Sequence, residues 1–198
     1  MENKLIEKIL KSLTETQLFS ILLLGMENFQ PVRGKTWFQK ELFLISNNIS
    51  SLKNDADFKS DYMGPYSDEA NEALNVLIVY NIASFNEKLI KLTNFGELVF
   101  KIIREKFSDD ELKIVTDFKK LLNDMTYLEL LGFIYFTYPE YIDESLVYEK
   151  VLPKRKEIGL NLLLKNKISR AKAAEISGIS VENIIGILKS KGVAVYSE

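Results

Sequence analysis

Arg170-Ala-Lys-Ala-Ala-Glu-Ile-Ser-Gly-Ile-Ser-Val-Glu-Asn-Ile-Ile-Gly-Ile-Leu-Lys189 reads as two short helices joined by a tight turn. Ala173, Ala174 and Ile176 share one face of the first helix. Gly178 supplies the left-handed backbone the turn needs. Ile179 plugs the core from the turn, and Ser180 caps the second helix, with Glu182 favourable in its first turn. Ile184, Ile187 and Leu188 then recur at helical spacing. Small residues at the crossing, glycine in the turn and isoleucine beyond it make the helix-turn-helix pattern. An ordinary helical hairpin is the plainer reading of the same residues.

Working outward, the charge is uneven. The last 48 residues carry +5 and the first 150 carry −7, for a net −2. A basic tail on an acidic body hints at an anionic partner for the tail, although it falls short of a strongly basic DNA-binding module. The chain holds no cysteine and no histidine. That removes disulfides, thiolate chemistry, histidine bases and the usual zinc sites, so no catalysis, metal or cofactor is expected. Leu18–Leu24 is too short an apolar run for a membrane span, and Met1-Glu-Asn-Lys4 does not begin a signal peptide, so a cytoplasmic location is expected.

Upstream, Lys4–Leu13 reads as an amphipathic helix. The capping box Thr14-x-x-Gln17 opens a more buried one to Met26. Pro31 and Gly34 break the chain. Lys35–Asn47 resumes as a helix with Trp37, Phe38, Leu42, Phe43 and Ile45 inward, and Asn48–Asp57 reads as a loop. Phe58–Met63 alternates like a strand. Gly64-Pro65-Tyr66-Ser67 turns the chain, and Ser67 starts a helix to Tyr80 with Ala70, Ala73, Leu74, Leu77 and Ile78 inward. Ile82–Phe85 and Lys88–Thr93 form a hairpin candidate, and Asn94 caps the helix Phe95–Lys106. Capping boxes at Ser108 and Thr126 open helices over 109–124 and 127–138, the second strongly aromatic. Glu144–Lys150 and Lys154–Lys165 read as helices interrupted at Pro153, the second weakened by Gly159, and Val193–Tyr196 as an edge strand.

Helix, helix, strand, helix and hairpin is the order of a winged helix-turn-helix. The expected fold is therefore mainly α: a winged helix-turn-helix domain with extra closing helices over 1–149, then a small helix-turn-helix over 150–198. The helix that would read DNA, Ser67–Tyr80, carries Asp68, Glu69 and Glu72 and no lysine or arginine. Phosphate contacts need positive charge, so this module is read as protein-binding.

Arg33-Gly-Lys-Thr-x-Phe-Gln-Lys-x-Leu-Phe-Leu44, Tyr62-Met-Gly-Pro-Tyr-Ser67 and Lys91-Leu-Thr-x-x-Gly96 resemble the winged-helix proteins related to the Panacea antitoxin domain. In those, a Leu-Gln-Lys-type helix and a Gly-Pro-Tyr/Phe-Ser turn recur, and Leu130–Tyr141 is similar to their closing helix. Trp37 departs from the leucine or arginine expected at its position. Lys165–Ser180 with Lys191-Gly-Val-Ala-Val-Tyr196 looks like the small helix-turn-helix proteins proposed as antitoxins beside PIN-domain toxins. The resemblance implies a toxin-neutralising or transcription-regulating protein, and it marks Tyr62, Gly64, Pro65, Tyr66 and Ser67 as the partner-binding turn.

In the second helix of the motif, the groove-facing positions are Ser180, Val181, Glu182, Ile185, Gly186 and Lys189. They are poor for base readout, since Lys189 is the one clear donor. DNA contact would fall to Arg170, Lys172, Ser180, Lys189 and Lys191. Val181 and Ile185 suit self-association instead. The expected partners are a protein toxin, double-stranded DNA and a second copy in a homodimer, with no membrane. Two readings stay open: an antitoxin-like regulator that also binds DNA, or a protein-interaction adaptor whose helix-turn-helix never does.

Overall fold

The chain alternates short helices with capping signals, and the computed structural model describes residues 9–86, 88–190 and 192. It is mainly α. Its one sheet among the described residues is a two-stranded hairpin. The residues group into two units, 1–59 with 65–124, and 60–64 with 125–198. The boundary drawn from sequence at 149/150 falls inside the second unit.

The first unit is built around α1 (Glu15–Phe29). Thr14 and Gln17 form the expected capping box. Phe19 and Ile21–Leu24 are fully buried because α1 is enclosed by neighbouring helices and the hairpin. The right-handed helix ends near Gly25, and Glu27, Asn28 and Phe29 turn with φ of 56°, 53° and 60°. Such left-handed residues are costly for side chains with a Cβ. Lys119 offsets that cost by donating to the carbonyls of Leu24 (3.2 Å) and Met26 (2.8 Å), which the helix leaves open.

α2 (Gly34–Ser46) follows, then α3 (Ser50–Ala56) where the sequence suggests a loop. Leu52 and Ala56, one turn apart, are buried and hold α3 to the core. Phe58–Met63 forms no strand. It makes two isolated bridges, Lys59 with Tyr66 and Tyr62 with Gly64, as it doubles back. α4 (Asp68–Val79) is capped by Ser67, whose hydroxyl accepts from the Ala70 amide at 2.8 Å. Ala70, Ala73, Leu74 and Leu77 face inward as expected, while Ile78 is partly exposed.

The hairpin pairs β1 (Ala83–Phe85) with β2 (Ile90–Leu92), Ser84 opposite Lys91. Val32 bridges the outer side of Ile90, so the third edge comes from the segment between α1 and α2 rather than from 58–63. Thr93, not Asn94, caps α5 (Asn94–Arg104). The Thr93 hydroxyl reaches the Gly96 amide at 3.0 Å, which moves the helix start by one residue. α6 (Asp109–Asn123) closes the unit, opened by the Ser108 capping box.

The second unit packs α7 (Tyr127–Thr137), α8 (Tyr148–Val151), α9 (Arg155–Leu164), α10 (Arg170–Ser177) and α11 (Val181–Ser190). The helix expected over 144–150 contracts to the four residues of α8, because Ser145 turns the chain by accepting from the Val147 and Tyr148 amides. Leu130–Phe136 are buried, so the aromatic run of α7 is core. Leu160, Ala173, Ile184 and Leu188 make the cluster beneath the helical pair, with Ile179 packed against it. Gly178 adopts φ 71°, ψ 22°, and its amide donates to Ala174. The helix expected over Lys4–Leu13 lies largely, and the strand over Val193–Tyr196 wholly, outside the described residues.

Candidate functional site

The Gln39-Lys40 dipeptide and the Gly64–Ser67 turn, separate in sequence, explain parts of one another. Gln39, Lys40 and Glu41 are all buried in α2, a face that the sequence pattern assigns to solvent. Gln39 Nε2 donates to the Ser67 carbonyl at 2.9 Å, and the Ser67 amide donates to Gln39 Oε1 at 3.0 Å. Lys40 Nζ donates to the Pro65 carbonyl at 2.7 Å. A side-chain amide with one donor and one acceptor satisfies a buried peptide on both sides. Pro65 and Ser67 are buried, and Tyr66 is half-buried. In the second unit Gly64 is buried with φ 82°, and a Cβ there would stand 2.9 Å from the Tyr135 ring. Of the five residues marked as partner-binding, Tyr62 alone is largely exposed, at 62%.

Tyr62 is accompanied by residues the sequence reading passes over. The Leu146 amide donates to its carbonyl at 3.0 Å. The Tyr127 hydroxyl donates to Met63 Sδ at 3.2 Å. Leu146 is 71% exposed, and Met63, Tyr127 and Leu128 are each partly exposed. Beneath them the Tyr135 hydroxyl meets Ser145 Oγ at 2.7 Å. Burial is the main reason the Tyr127 and Tyr135 hydroxyls titrate above their ordinary range. A usable signal for this surface is compositional: residues 125–149 contain five acidic residues and no basic one, interleaved with aromatics.

In the helical pair, the geometry commits much of the positive charge internally. Lys172 pairs with Glu175 at 2.7 Å and lies 5.8 Å from the centre of the Phe133 ring. Lys165 holds Glu129 through both carboxylate oxygens, at 2.8 and 2.7 Å. Burial works against the Glu129 charge. The Lys165 ammonium, with the Thr126 backbone and hydroxyl, nevertheless keeps its carboxyl below the usual range. Arg155 Nε and Nη2 donate to the carbonyls of Ile176 (2.7 Å) and Glu175 (2.9 Å), capping the end of α10. Its guanidinium also lies over Phe136, 4.9 Å from the ring centre.

Ser180 caps α11 as expected, its hydroxyl accepting from the Asn183 amide at 3.2 Å. The Glu182 carboxylate, held low by its own backbone amide and then by Ser180, puts negative charge at the end of α11 that would approach phosphate. Lys189 is exposed and Arg170 half-buried, while Lys191 lies outside the described residues. Val181 and Ile185 are half-buried, and neither belongs to the cluster of Leu160, Ala173, Ile184 and Leu188.

One further polar group is notable in the first unit. Glu41 is fully buried, and neither carboxylate oxygen has a hydrogen-bond partner. Burial pushes it up to about 8, against the attraction of Lys119 and Arg33. Lys119 is pushed down to about 8 by the same cause, against the pull of Glu41 and Glu27. Among the described residues no group of acidic side chains is placed to hold a metal ion. No helix there is long and apolar enough to cross a membrane. Neither a family model, nor a curated protein, nor a solved structure matches the chain, so its functional reading rests on this geometry.

Proposed function

We propose that the chain is a non-enzymatic binding protein of the antitoxin-like or regulatory kind, which holds a protein partner through the exposed surface around Tyr62. The observation that carries this reading is an exposed tyrosine on a backbone pinned to Leu146, with Met63 and Tyr127 joined beside it. Exposed aromatics on a rigid support are what binding hot spots are made of. The partner-binding role therefore moves from the turn as a whole to Tyr62. Gly64, Pro65 and Ser67 shape the turn, through the close approach to Tyr135 and the bonds from Gln39 and Lys40.

The first unit is read as a winged helix. Its support is the order of α1, the Val32 edge, α2, α4 and the β1–β2 hairpin. α4 stands where such folds carry their reading helix, yet its exposed Asp68, Glu69 and Glu72 would repel phosphate. α10 and α11 form the helix-turn-helix, a packing or self-association module through Val181 and Ile185. With Lys172 paired and Glu182 charged, its surface suits DNA poorly. A toxin is the partner that the family resemblance implies.

Calorimetric titration of the purified chain with the product of its neighbouring gene tests this reading. A complex is expected with the wild type, weakened at least tenfold by Tyr62→Ala at unchanged melting temperature. Binding of mixed-sequence duplex DNA at physiological salt, indifferent to Tyr62, would instead favour a DNA-directed regulator.

A further inference from the structure

We infer that the segment docking at Tyr62 is basic and amphipathic, with apolar side chains on one face flanked by lysine or arginine. The inference rests on reading Tyr62 as a protein-docking residue and goes on to specify the partner's chemistry. The apolar component is Tyr62, Met63, Tyr127, Leu128 and Leu146. The bonds from Leu146 to Tyr62 and from Tyr127 to Met63 bring four of them together, and Leu128 follows Tyr127 in α7. Their support is already in place. Ser60 Oγ donates to the Glu140 carbonyl at 3.2 Å, and Ser145 Oγ ties Tyr135 to the amides of Val147 and Tyr148. A surface held in this way loses little freedom on binding.

The surrounding charge is mainly acidic, Lys150 being the one base in 125–150. Asp61 precedes Tyr62, and Glu140, Asp143, Glu144 and Glu149 are exposed with no ion pair among the described residues. Glu129, by contrast, is buried and turned to Lys165. Nucleic acid and anionic membrane would be repelled here. A neutral amphipathic segment would gain apolar burial alone, whereas a basic one gains burial and steering together. The chain's own basic stretch, in a second copy, is a weaker candidate. There Lys154, Lys165 and Lys172 are paired and Arg155 caps α10.

Fluorescence anisotropy tests the inference with a labelled 18-residue peptide of leucine and lysine at helical spacing, and with its leucine–glutamate counterpart. The lysine peptide is expected to bind, to weaken as salt rises, and to bind Leu146→Asp at least tenfold less tightly. Leu146→Asp adds negative charge, so simple attraction to an acidic surface would tighten binding instead. Leu146 is exposed, so the variant keeps its melting temperature, and Asp143→Lys with Glu144→Lys is expected to lower affinity at least fivefold. Equal binding of the glutamate peptide overturns the basic-partner inference but leaves Tyr62 as a docking residue. Lysine-peptide binding indifferent to Leu146→Asp and Tyr62→Ala, or no binding at all, overturns the inference. A wild-type dimer that Leu146→Asp converts to monomer identifies a second copy as the occupant and also overturns it.

Discussion

Glu41 shows how one residue can govern the response of the whole chain to pH. Its carboxyl is raised by burial from the ordinary range to about 8. Between roughly pH 4.5 and 8 the folded state therefore keeps a proton that the unfolded state has released, and stability falls as pH rises through that window. Lys119, lowered to about 8, acts in the opposite sense only above that value, where the unfolded chain holds the extra proton. With no histidine in the chain, no other side chain ordinarily titrates between pH 5 and 8. Urea unfolding at pH 5 and pH 7.5 is expected to show the wild type losing on the order of 1–3 kcal/mol across the interval. Glu41→Gln should flatten that dependence. A slope that persists in the variant would place the titrating group elsewhere.

At the scale of elements, α9 and α10 meet at Gly159. A Cβ there would stand 2.8 Å from Ser177 Cβ and 2.9 Å from both the Ala173 carbonyl oxygen and the Ser177 amide nitrogen. From the sequence, Gly159 reads as a weakness in its helix, and propensity alone would have alanine stabilise it by about 0.8–1 kcal/mol. The crossing reverses that sign. Gly159→Ala forces two backbones apart, at a cost of about 1–3 kcal/mol, and the net effect is a melting temperature several degrees lower. A higher melting temperature would mean that the crossing relaxes freely.

At the scale of the molecule, each unit has its own interior. The first is organised around α1, and the second around α7 together with the small cluster under the helical pair. Ile185 stands outside that cluster and only half-buried, which fits it to a contact between copies. The wild type is expected to sediment as a dimer. Ile185→Lys should shift it to monomer, because it places an unpaired charge in apolar surroundings. A variant of unchanged mass and thermal stability removes Ile185 from any such contact.

Local chemistry was enough to place most helix starts and the turn at Gly178. A capping serine or threonine, a glutamate or glutamine three residues on where there is a capping box, and a glycine able to take positive φ act within a few residues of themselves. That is why Thr14, Ser108, Thr126 and Ser180 stand where their side chains predict. The hairpin was legible for the same reason. Its third edge was not, since Val32 is selected by its approach to Ile90 and not by its neighbours in sequence. Nor could periodicity reveal that Gln39, Lys40 and Glu41 are interior. Gln39 and Lys40 are buried because Ser67 and Pro65 present carbonyls and an amide that those side chains reach, and Glu41 because α2 is covered on that face as well. For the candidate site, the sequence singled out Tyr62 and its turn. The tertiary structure alone decided that Leu146 and Tyr127, distant in sequence, stand beside it, and that Gly64, Pro65 and Ser67 turn inward. The reason is that exposure is set by what packs on a residue, and those neighbours come from elsewhere in the chain.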